Sequence, residues 1–264
     1  FTLPDDTHFH NMFFFGASLI ERHGVENSSP AYFDLFRKYM NLAHRHRMDL
    51  SDGARKPDEF AEHLGGYYTG EYYDAAHGYD GPGAGVGNRT YSIGTYDQPE
   101  GGWNSGFYPA TKEAWQAAAD AWETWFSAHA PEVVRFKYMT DEPQPKDYDA
   151  VIERAGWIHS SSGPGKNLKT YCTVRIEPTL YGAIDFWSLT VQSGYDDGSG
   201  ITAGYDLPKV KERQALGELA AIYNGTRPSY GQASALDAPA ADNRVNPWIA
   251  WKYAVDQYFM WETG

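Results

Sequence analysis

Apolar residues along the chain form short continuous runs. Between these runs they recur at the spacing of one face of a helix. Runs rich in β-branched and aromatic side chains predict buried strands. We predict eight strands, at residues 12–19, 46–50, 89–96, 133–142, 168–174, 184–191, 218–224 and 257–262. Between them, apolar residues recur every three or four positions, as on one face of an amphipathic helix. The predicted helices are 30–43, 57–64, 111–129, 146–159, 207–215 and 246–255.

Strands that alternate with helices predict a parallel α/β sheet. The 264 residues are close to the roughly 250 that a TIM (β/α)8 barrel needs. We therefore predict one catalytic barrel domain over residues 1–264. A doubly wound sheet is the alternative, but it would need a phosphate-binding glycine loop after the first strand. Phe15-Gly16-Ala17-Ser18 is not such a loop, and we predict no cofactor.

One segment departs from the alternation of strands and helices. Residues 65–110 are rich in glycine and tyrosine, in runs such as Gly65-Gly66-Tyr67-Tyr68. Long irregular segments are usually functional or mobile. We expect an insertion here. Its aromatic residues either pack over a functional site, or the insertion is a flexible surface loop.

The composition narrows the classes of partner. The formal net charge of −13 argues against nucleic acid. No apolar run approaches the length of a membrane span, so no membrane partner is predicted. The single cysteine, Cys172, excludes an internal disulfide, and the oligomeric state stays open. Aromatic residues make up 16% of the chain, enough to serve the core and also to stack on sugar rings in a cleft.

The fourth predicted strand ends in two adjacent carboxylates and a proline, Asp141-Glu142-Pro143. Because Pro143 lacks an amide donor and disfavours the helical conformation at Glu142, the strand should end there. A chain that leaves the sheet at this point can turn both carboxylates towards one pocket. Two carboxylates in different environments can keep one protonated and the other ionised. Alternatively, one of them caps the helix that follows.

Polar and aromatic residues are also strand-end candidates on other predicted strands, whose ends converge on the active site of a TIM barrel. They are Arg175, Glu177, Trp187, Gln192, Tyr223, Asn224, Trp261 and Glu262. The residues that we assign to substrate binding are Tyr171, Arg175, Trp187, Tyr223, Asn224 and Trp261. For each aromatic residue, a place in the ordinary core is the alternative.

Motifs for a catalytic metal or a serine nucleophile are incomplete. His8-Phe9-His10 would place two imidazoles on one face of a strand, as in barrel metal hydrolases. Strands 168–174 and 184–191 contain no histidine, so the context of a metal site is lacking and we predict no metal. A serine nucleophile would need a Gly-x-Ser-x-Gly turn, which is also missing.

The second half of the chain carries an ordered series of motifs. It consists of Tyr138-Met139-Thr140-Asp141-Glu142-Pro143, Ile184-Asp185-Phe186-Trp187, residues 218–228, Leu236-Asp237 with Arg244, and residues 248–253 and 258–261. Over about residues 133–264 this series resembles glycoside hydrolase family 123.

The resemblance implies a TIM barrel that hydrolyses N-acetyl-β-hexosaminides, above all N-acetyl-β-D-galactosaminides. The reaction would retain configuration and use the substrate's acetamido group as nucleophile. Asp141 would orient and polarise the acetamido nitrogen, and Glu142 would act as general acid and then as base. Tyr223 and Trp261 match family aromatic residues near the sugar. The resemblance also implies a carbohydrate partner and a secreted or extracytoplasmic protein, although this chain shows no signal peptide.

Two other functions stay open at this point. An ordinary two-carboxylate glycosidase would pair Glu142 with a distant acid such as Asp185 or Glu262. It would need that acid about 5–5.5 Å away for retention or about 6.5–9.5 Å away for inversion. A catalytically silent barrel would instead bind carbohydrate through its aromatic residues.

Overall fold

Eight parallel strands form one sheet in the computed structural model, which describes residues 9–51, 56–94, 109–190, 207–224, 244, 247–248 and 250–261. The strands are β1 His10–Phe14, β2 Asp49–Ser51, β3 Thr90–Ile93, β4 Val134–Thr140, β5 Lys169–Thr173, β6 Phe186–Thr190, β7 Leu219–Asn224 and β8 Gln257–Met260. The helices are α1 Ala17–Glu21, α2 Pro30–Arg45, α3 Pro57–His63, α4 Gly65–Thr69, α5 Lys112–His129, α6 Tyr148–His159 and α7 Leu207–Ala215.

The sheet curls into a nearly closed barrel. Hydrogen-bonded neighbours follow the order β2-β1-β8-β7-β6-β5-β4-β3. The two end strands meet through side chains, because Oδ2 of Asp49 accepts hydrogen bonds from the amides of Arg89 and Thr90 at 2.9 and 3.1 Å. Oγ of Ser51 likewise accepts from the amide of Ser92 at 3.2 Å. The predicted TIM-barrel fold is confirmed.

The barrel has two apolar layers. The inside holds an interior cluster formed by Met12, Phe14, Phe136, Tyr138, Tyr171, Phe186, Ala221 and Phe259. The second layer lies between the strands and the helices and includes the fully buried Trp115, Trp122 and Phe126 of α5. Half-buried Tyr223 and Trp261, at the ends of β7 and β8, pack against the interior cluster. Successive side chains of a strand point to opposite faces, so each strand serves both layers.

Most predicted elements occur within a few residues of their expected bounds. Helix α2 begins after Ser29, whose Oγ accepts from the amide of Tyr32 at 3.2 Å, as an N-cap does. The first strand is shorter than predicted, because β1 ends at Phe14 and the chain then turns into α1. Phe14 faces the interior cluster, whereas the ring of Phe15 lies 5.4 Å from that of Phe36 on α2. One apolar run therefore serves a strand and then a helix.

The described part of the glycine- and tyrosine-rich segment is packed. Tyr68 and Tyr73 are buried in the layer outside the strands, and not over the carboxyl ends of the barrel. At Gly70, φ is +87° and a Cβ would lie 2.2 Å from the carbonyl oxygen of Gly85. Only glycine lets these two chain segments approach so closely. Residues 95–108, which belong to the same predicted insertion, lie outside the described residues.

Candidate active site

Strand β4 ends in a bulge directly before the two candidate acids. Its register pairs Tyr138 with Tyr171 but Thr140 with Cys172, so β4 has one residue more than β5 over this stretch. A bulge bends its strand and redirects the side chains that follow, and bulges are frequent beside active sites. The chain then leaves the sheet at Asp141, as predicted.

Glu142 has an unusual backbone conformation. Its φ is +42°, in the left-handed region that residues with a Cβ rarely occupy. The amide of Glu142 donates a hydrogen bond to Oγ1 of Thr173, the last residue of β5, at 2.8 Å. Pro143, which follows, disfavours the right-handed helical conformation at Glu142. Such strain costs about 1–3 kcal/mol, persists where the surroundings impose it, and clusters at functional sites.

Asp141 is held through one of its two oxygens. Its Oδ1 accepts hydrogen bonds from the hydroxyls of Tyr138 at 2.7 Å and Thr173 at 2.8 Å. Burial and the charge of Asp141 raise the pKa of Tyr138 well above its ordinary value, so this phenol keeps its proton and remains a donor. Within the described ranges, Oδ2 of the half-buried Asp141 has no hydrogen-bond partner. That oxygen is available to a ligand.

The carboxylate of Glu142 is held by a residue from β7. The hydroxyl of Tyr223 donates to Oε1 of Glu142 at 2.5 Å. The ring of Tyr223 lies 6.1 Å from that of Phe259 in the interior cluster. Tyr223 therefore stands at the carboxyl-terminal opening of the barrel, which we call the mouth. Glu142 itself is exposed. Among the described residues, the two adjacent acids thus have different surroundings. Asp141 is half-buried with two hydroxyl donors, and Glu142 is exposed with a single donor.

Neither acid caps the helical turn that follows. In the turn Pro145–Asp147, Oδ2 of Asp147 accepts the hydrogen bond from the amide of Gln144 at 2.9 Å. Helix α6 has no side-chain hydrogen bond at its N-cap. The alternative assignment of Asp141 or Glu142 as a helix cap is therefore wrong.

Two of the predicted substrate-binding residues are core residues. Tyr171 is fully buried in the interior cluster, stacked on Phe136 with ring centroids 4.5 Å apart. Trp187 is fully buried in the outer layer, and its Nε1 donates to Oε2 of Glu218 at 2.6 Å. Glu218 precedes β7, at the end of the barrel opposite the mouth. The structure corrects both assignments, because both side chains are fully buried and present no surface to a substrate.

The other predicted binding residues lie near the mouth. Trp261 directly follows β8 and is half-buried against the interior cluster. Arg175 stands in the loop after β5 with 68% of its side chain exposed, 3.9 Å from a carboxylate oxygen of Glu177. Asn224 is the last residue of β7. For these residues and Tyr223, contact with a substrate stays a prediction.

The distant acid Asp185 lies at the opposite end of the barrel. It precedes β6, and its Oδ2 is 3.0 Å from Nε2 of His159. Because a strand rises about 3.3 Å per residue, the five residues of β6 separate Asp185 from the mouth by about 16 Å. Asp185 therefore cannot act with Glu142 across one glycosidic bond. The other suggested acid, Glu262, lies outside the described residues, as does Gln192.

Away from the two acids, the described part of the chain shows neither a metal-binding cluster nor a membrane-spanning helix. Among the residues whose structure is described, no three His, Cys, Asp or Glu side chains lie close enough together to bind a metal. His10 begins β1, and His8 falls outside the described ranges. In the same ranges, no helix is both long and apolar enough to cross a bilayer. A cavity of about 290 Å³ is lined by α2, α3 and the chain after it, including Phe33, Arg37 and Tyr72, and lies away from the strand ends.

Comparisons with known proteins give no family for this chain. No protein-family model and no curated protein matches it. A glycoside hydrolase family 5 enzyme from Prevotella bryantii B14 is similar over 97% of this chain and 89% of its own, with 12% identity and a TM-score of 0.48. An endo-β-mannanase/endo-β-glucanase of Prevotella bryantii is similar over 96% of this chain and 44% of its own, with 13% identity and a TM-score of 0.47. A protein of Burkholderia cenocepacia J2315 described as a phosphonomutase is similar over 96% of this chain and 86% of its own, with 9% identity and a TM-score of 0.41. Likeness at this level says nothing about the reaction.

Two residues that build the site were not predicted from the sequence. Tyr138 stands three positions before Asp141, a spacing that regular strand alternation would put on opposite faces. The bulge between Tyr138 and Thr140 lets the two side chains meet. Thr173 ends β5, the strand next to β4. A hydroxyl at the end of the neighbouring strand is the signal that could have identified Thr173.

Proposed function

We propose that this protein is a retaining glycoside hydrolase that cleaves N-acetyl-β-hexosaminides with the help of the substrate's own acetamido group. The observation that carries the proposal is the pair Asp141 and Glu142, adjacent in the chain at the mouth, whose carboxylates accept hydrogen bonds from different hydroxyls. The motif resemblance to family 123 supports N-acetyl-β-D-galactosaminides as the substrate class.

In the first step, the acetamido oxygen attacks C1 of the sugar while the glycosidic bond from C1 to the leaving oxygen breaks. Glu142 gives its proton to that leaving oxygen. Because Tyr223 donates to Oε1 of Glu142, the acidic proton belongs on Oε2. Oδ2 of Asp141 accepts the proton of the acetamido nitrogen, which makes the acetamido oxygen a better nucleophile. The product of this step is a neutral bicyclic oxazoline.

In the second step, water attacks C1 of the oxazoline and gives a proton to the carboxylate of Glu142. The bond from C1 to the acetamido oxygen breaks, and Asp141 returns its proton to the nitrogen. C1 has then been attacked twice from opposite sides, so the sugar leaves with its original configuration. Both acids end the cycle in the protonation states in which they began.

The placement of the acids favours an internal nucleophile over a carboxylate of the protein. An ordinary retaining enzyme needs its nucleophile on the other face of the sugar, about 5–5.5 Å from the acid. Asp141 directly precedes Glu142, and both residues bond to the same hydroxyl of Thr173. This arrangement suits two groups that act on one side of the scissile bond.

A panel of aryl glycosides tests the proposed function. We expect hydrolysis of the aryl N-acetyl-β-D-galactosaminide and little or none of the matching galactoside, in which a hydroxyl replaces the acetamido group. Nuclear magnetic resonance should detect the β-anomer as the first product. Equal rates with and without the acetamido group would point to an ordinary two-carboxylate glycosidase. Binding of the sugars without turnover would point to a silent carbohydrate-binding barrel.

A further inference from the structure

The hydroxyl of Thr173 lies at the centre of the polar contacts around the two acids. Its Oγ1 is 2.8 Å from the amide nitrogen of Glu142, 2.8 Å from Oδ1 of Asp141 and 3.1 Å from the hydroxyl of Tyr138. Only 3% of Thr173 is exposed, so water does not compete for these contacts. No other side chain in the described ranges bonds to both acids.

The direction of each hydrogen bond follows from the groups involved. An amide N–H can only donate, so Glu142 uses one lone pair of the threonine oxygen. An ionised carboxylate can only accept, so the single hydroxyl proton of Thr173 points to Oδ1 of Asp141. The proton of Tyr138 points to the same Oδ1, which is nearer to it than the threonine oxygen, at 2.7 Å against 3.1 Å. Thr173 therefore links the backbone of one acid to the carboxylate of the other.

This link has a separate effect on each acid. At Glu142 it helps to hold the strained left-handed turn, a conformation that persists only where the surroundings impose it. At Asp141 it occupies Oδ1 and leaves Oδ2 for a ligand. The direction of the Asp141 carboxylate is thus coupled to the backbone that carries Glu142.

We propose that Thr173 is a positioning residue, whose hydroxyl sets the orientation of Asp141 and Glu142 relative to each other for the reaction described above. Its role in catalysis rests on the proposed function, whereas its role in placing the two acids does not. A misplacement of about 1 Å in a reacting group can cost about 10²-fold in rate. Loss of the hydroxyl should therefore lower turnover while the fold survives.

Two matched substitutions distinguish the effect of the Thr173 hydroxyl from the effect of its side-chain shape. Thr173→Val keeps the branched shape and removes the hydroxyl, and Thr173→Ser keeps the hydroxyl and removes the methyl group. On the aryl N-acetylgalactosaminide we expect Thr173→Val to lower kcat by about 10²-fold, with KM little changed. Thr173→Ser should keep most of the wild-type kcat. A side chain that only stabilises the fold would change the melting temperature and leave the kcat of the folded protein unaltered.

The crystal structures of the same variants test the placement without any need for activity. In Thr173→Val we expect Glu142 to leave its positive φ and the Asp141 carboxylate to rotate, and in Thr173→Ser we expect both to stay. If the wild type hydrolyses no N-acetylhexosaminide, the proposed function fails and this comparison still decides the role of Thr173. If Thr173→Val does not fold, Thr173→Ala replaces it, since it differs from Thr173→Ser by the hydroxyl alone. Unmoved acids in the variant without the hydroxyl, or equal losses of kcat with and without it, would overturn the proposal.

Discussion

The carboxylates at the two ends of the barrel differ in whether they bind the backbone of a neighbouring strand. At the amino-terminal end, three of the acids that stand at or directly before the start of a strand accept a hydrogen bond from a backbone amide near the start of a neighbouring strand. The pairs are Asp49 with Arg89, Asp185 with Thr170 and Asp256 with Ala220, at 2.9, 2.9 and 2.8 Å. At the carboxyl-terminal end, the two acids accept hydrogen bonds from side-chain hydroxyls.

This difference agrees with a stabilising role for one end of the barrel and with the proposed active site at the other. A backbone amide belongs to the sheet itself, so each amino-terminal acid links one strand to the next. At the mouth, Asp141 keeps one oxygen without a partner in the described ranges, and Glu142 is exposed in a strained turn. In TIM barrels the carboxyl-terminal face carries catalysis and the amino-terminal face carries stability. The contacts of the individual acids here agree with that division.

The largest effect is expected from Glu142→Gln. A positioned general acid contributes about 10²- to 10⁴-fold, so glycosides with poor leaving groups should slow by about that much. Activated aryl glycosides, which need less protonation, should slow far less. Steady-state kinetics on both substrate types checks this expectation. Equal losses on both types would remove Glu142 from the role of acid.

Alanine substitutions of two tryptophans, one in the core and one at the mouth, should have different effects on stability and on sugar binding. Trp187→Ala should cost about 3–5 kcal/mol of unfolding free energy, because a fully buried indole leaves a cavity. Trp261→Ala should cost less stability and weaken sugar binding instead, because its indole is half-buried at the mouth. Urea unfolding and isothermal titration with N-acetylgalactosamine measure the two effects. Intact affinity and a core-sized loss of stability in Trp261→Ala would move that residue into the core.

Asp185→Ala tests the amino-terminal end. The substitution removes the acceptor of the Thr170 amide and the partner of His159. Hydrogen bonds to charged groups contribute about 1.5–3 kcal/mol, so the melting temperature should fall by several degrees while kcat stays unchanged. Differential scanning calorimetry and the aryl glycoside assay provide the two readings. A loss of kcat in the folded variant would contradict a purely stabilising role.

The smallest effect concerns pH. The hydrogen bond and charge of Asp185 raise the pKa of His159 above 6.5 despite partial burial. Burial alone would raise the pKa of Asp185, but the hydrogen bond and charge of His159 and the bonds from Thr170 lower it below 3.8. The histidine contribution is complete below about pH 6.5 and is lost as pH rises through the folded-state pKa. The aspartate contribution is complete above about pH 3.8 and is lost as pH falls through its folded-state pKa.

The stability lost in His159→Gln should therefore be greatest between about pH 3.8 and 6.5 and should shrink on either side. Melting temperatures of wild type and variant across this range measure the difference. A difference that does not vary with pH would show that the ion pair contributes nothing measurable.

Local signals in the sequence were enough to predict the fold and the place of the two acids. The start of α2 at Pro30, the end of α7 at Ala215 and the turn at Asp141-Glu142 all follow from short stretches of chain. These features depend on neighbours in the sequence, where propensity and proline geometry act directly.

The parts of the site that could not be predicted depend on contacts between strands. Strands of a parallel barrel are apolar on both faces, so the pattern does not tell whether Tyr171 or Trp187 faces the inside, the helices or the mouth. The bulge in β4 shifts the register after Tyr138 and leaves no mark in the sequence. Thr173 becomes part of the site only because that register places it beside Asp141.

The most direct test of the central claim is the inhibition constant of a thiazoline mimic of the oxazoline, measured for wild type and for Asp141→Asn. Analogues of states along the reaction path bind at least about 10²-fold more tightly than substrates, so we expect competitive inhibition of the wild type far stronger than that by N-acetylgalactosamine. In Asp141→Asn, turnover and thiazoline affinity should fall together, because the acceptor of the nitrogen-bound proton is lost. Thiazoline affinity no better than that of the parent sugar, or a fluorosugar trapped as an ester on a carboxylate of this chain, would contradict the account.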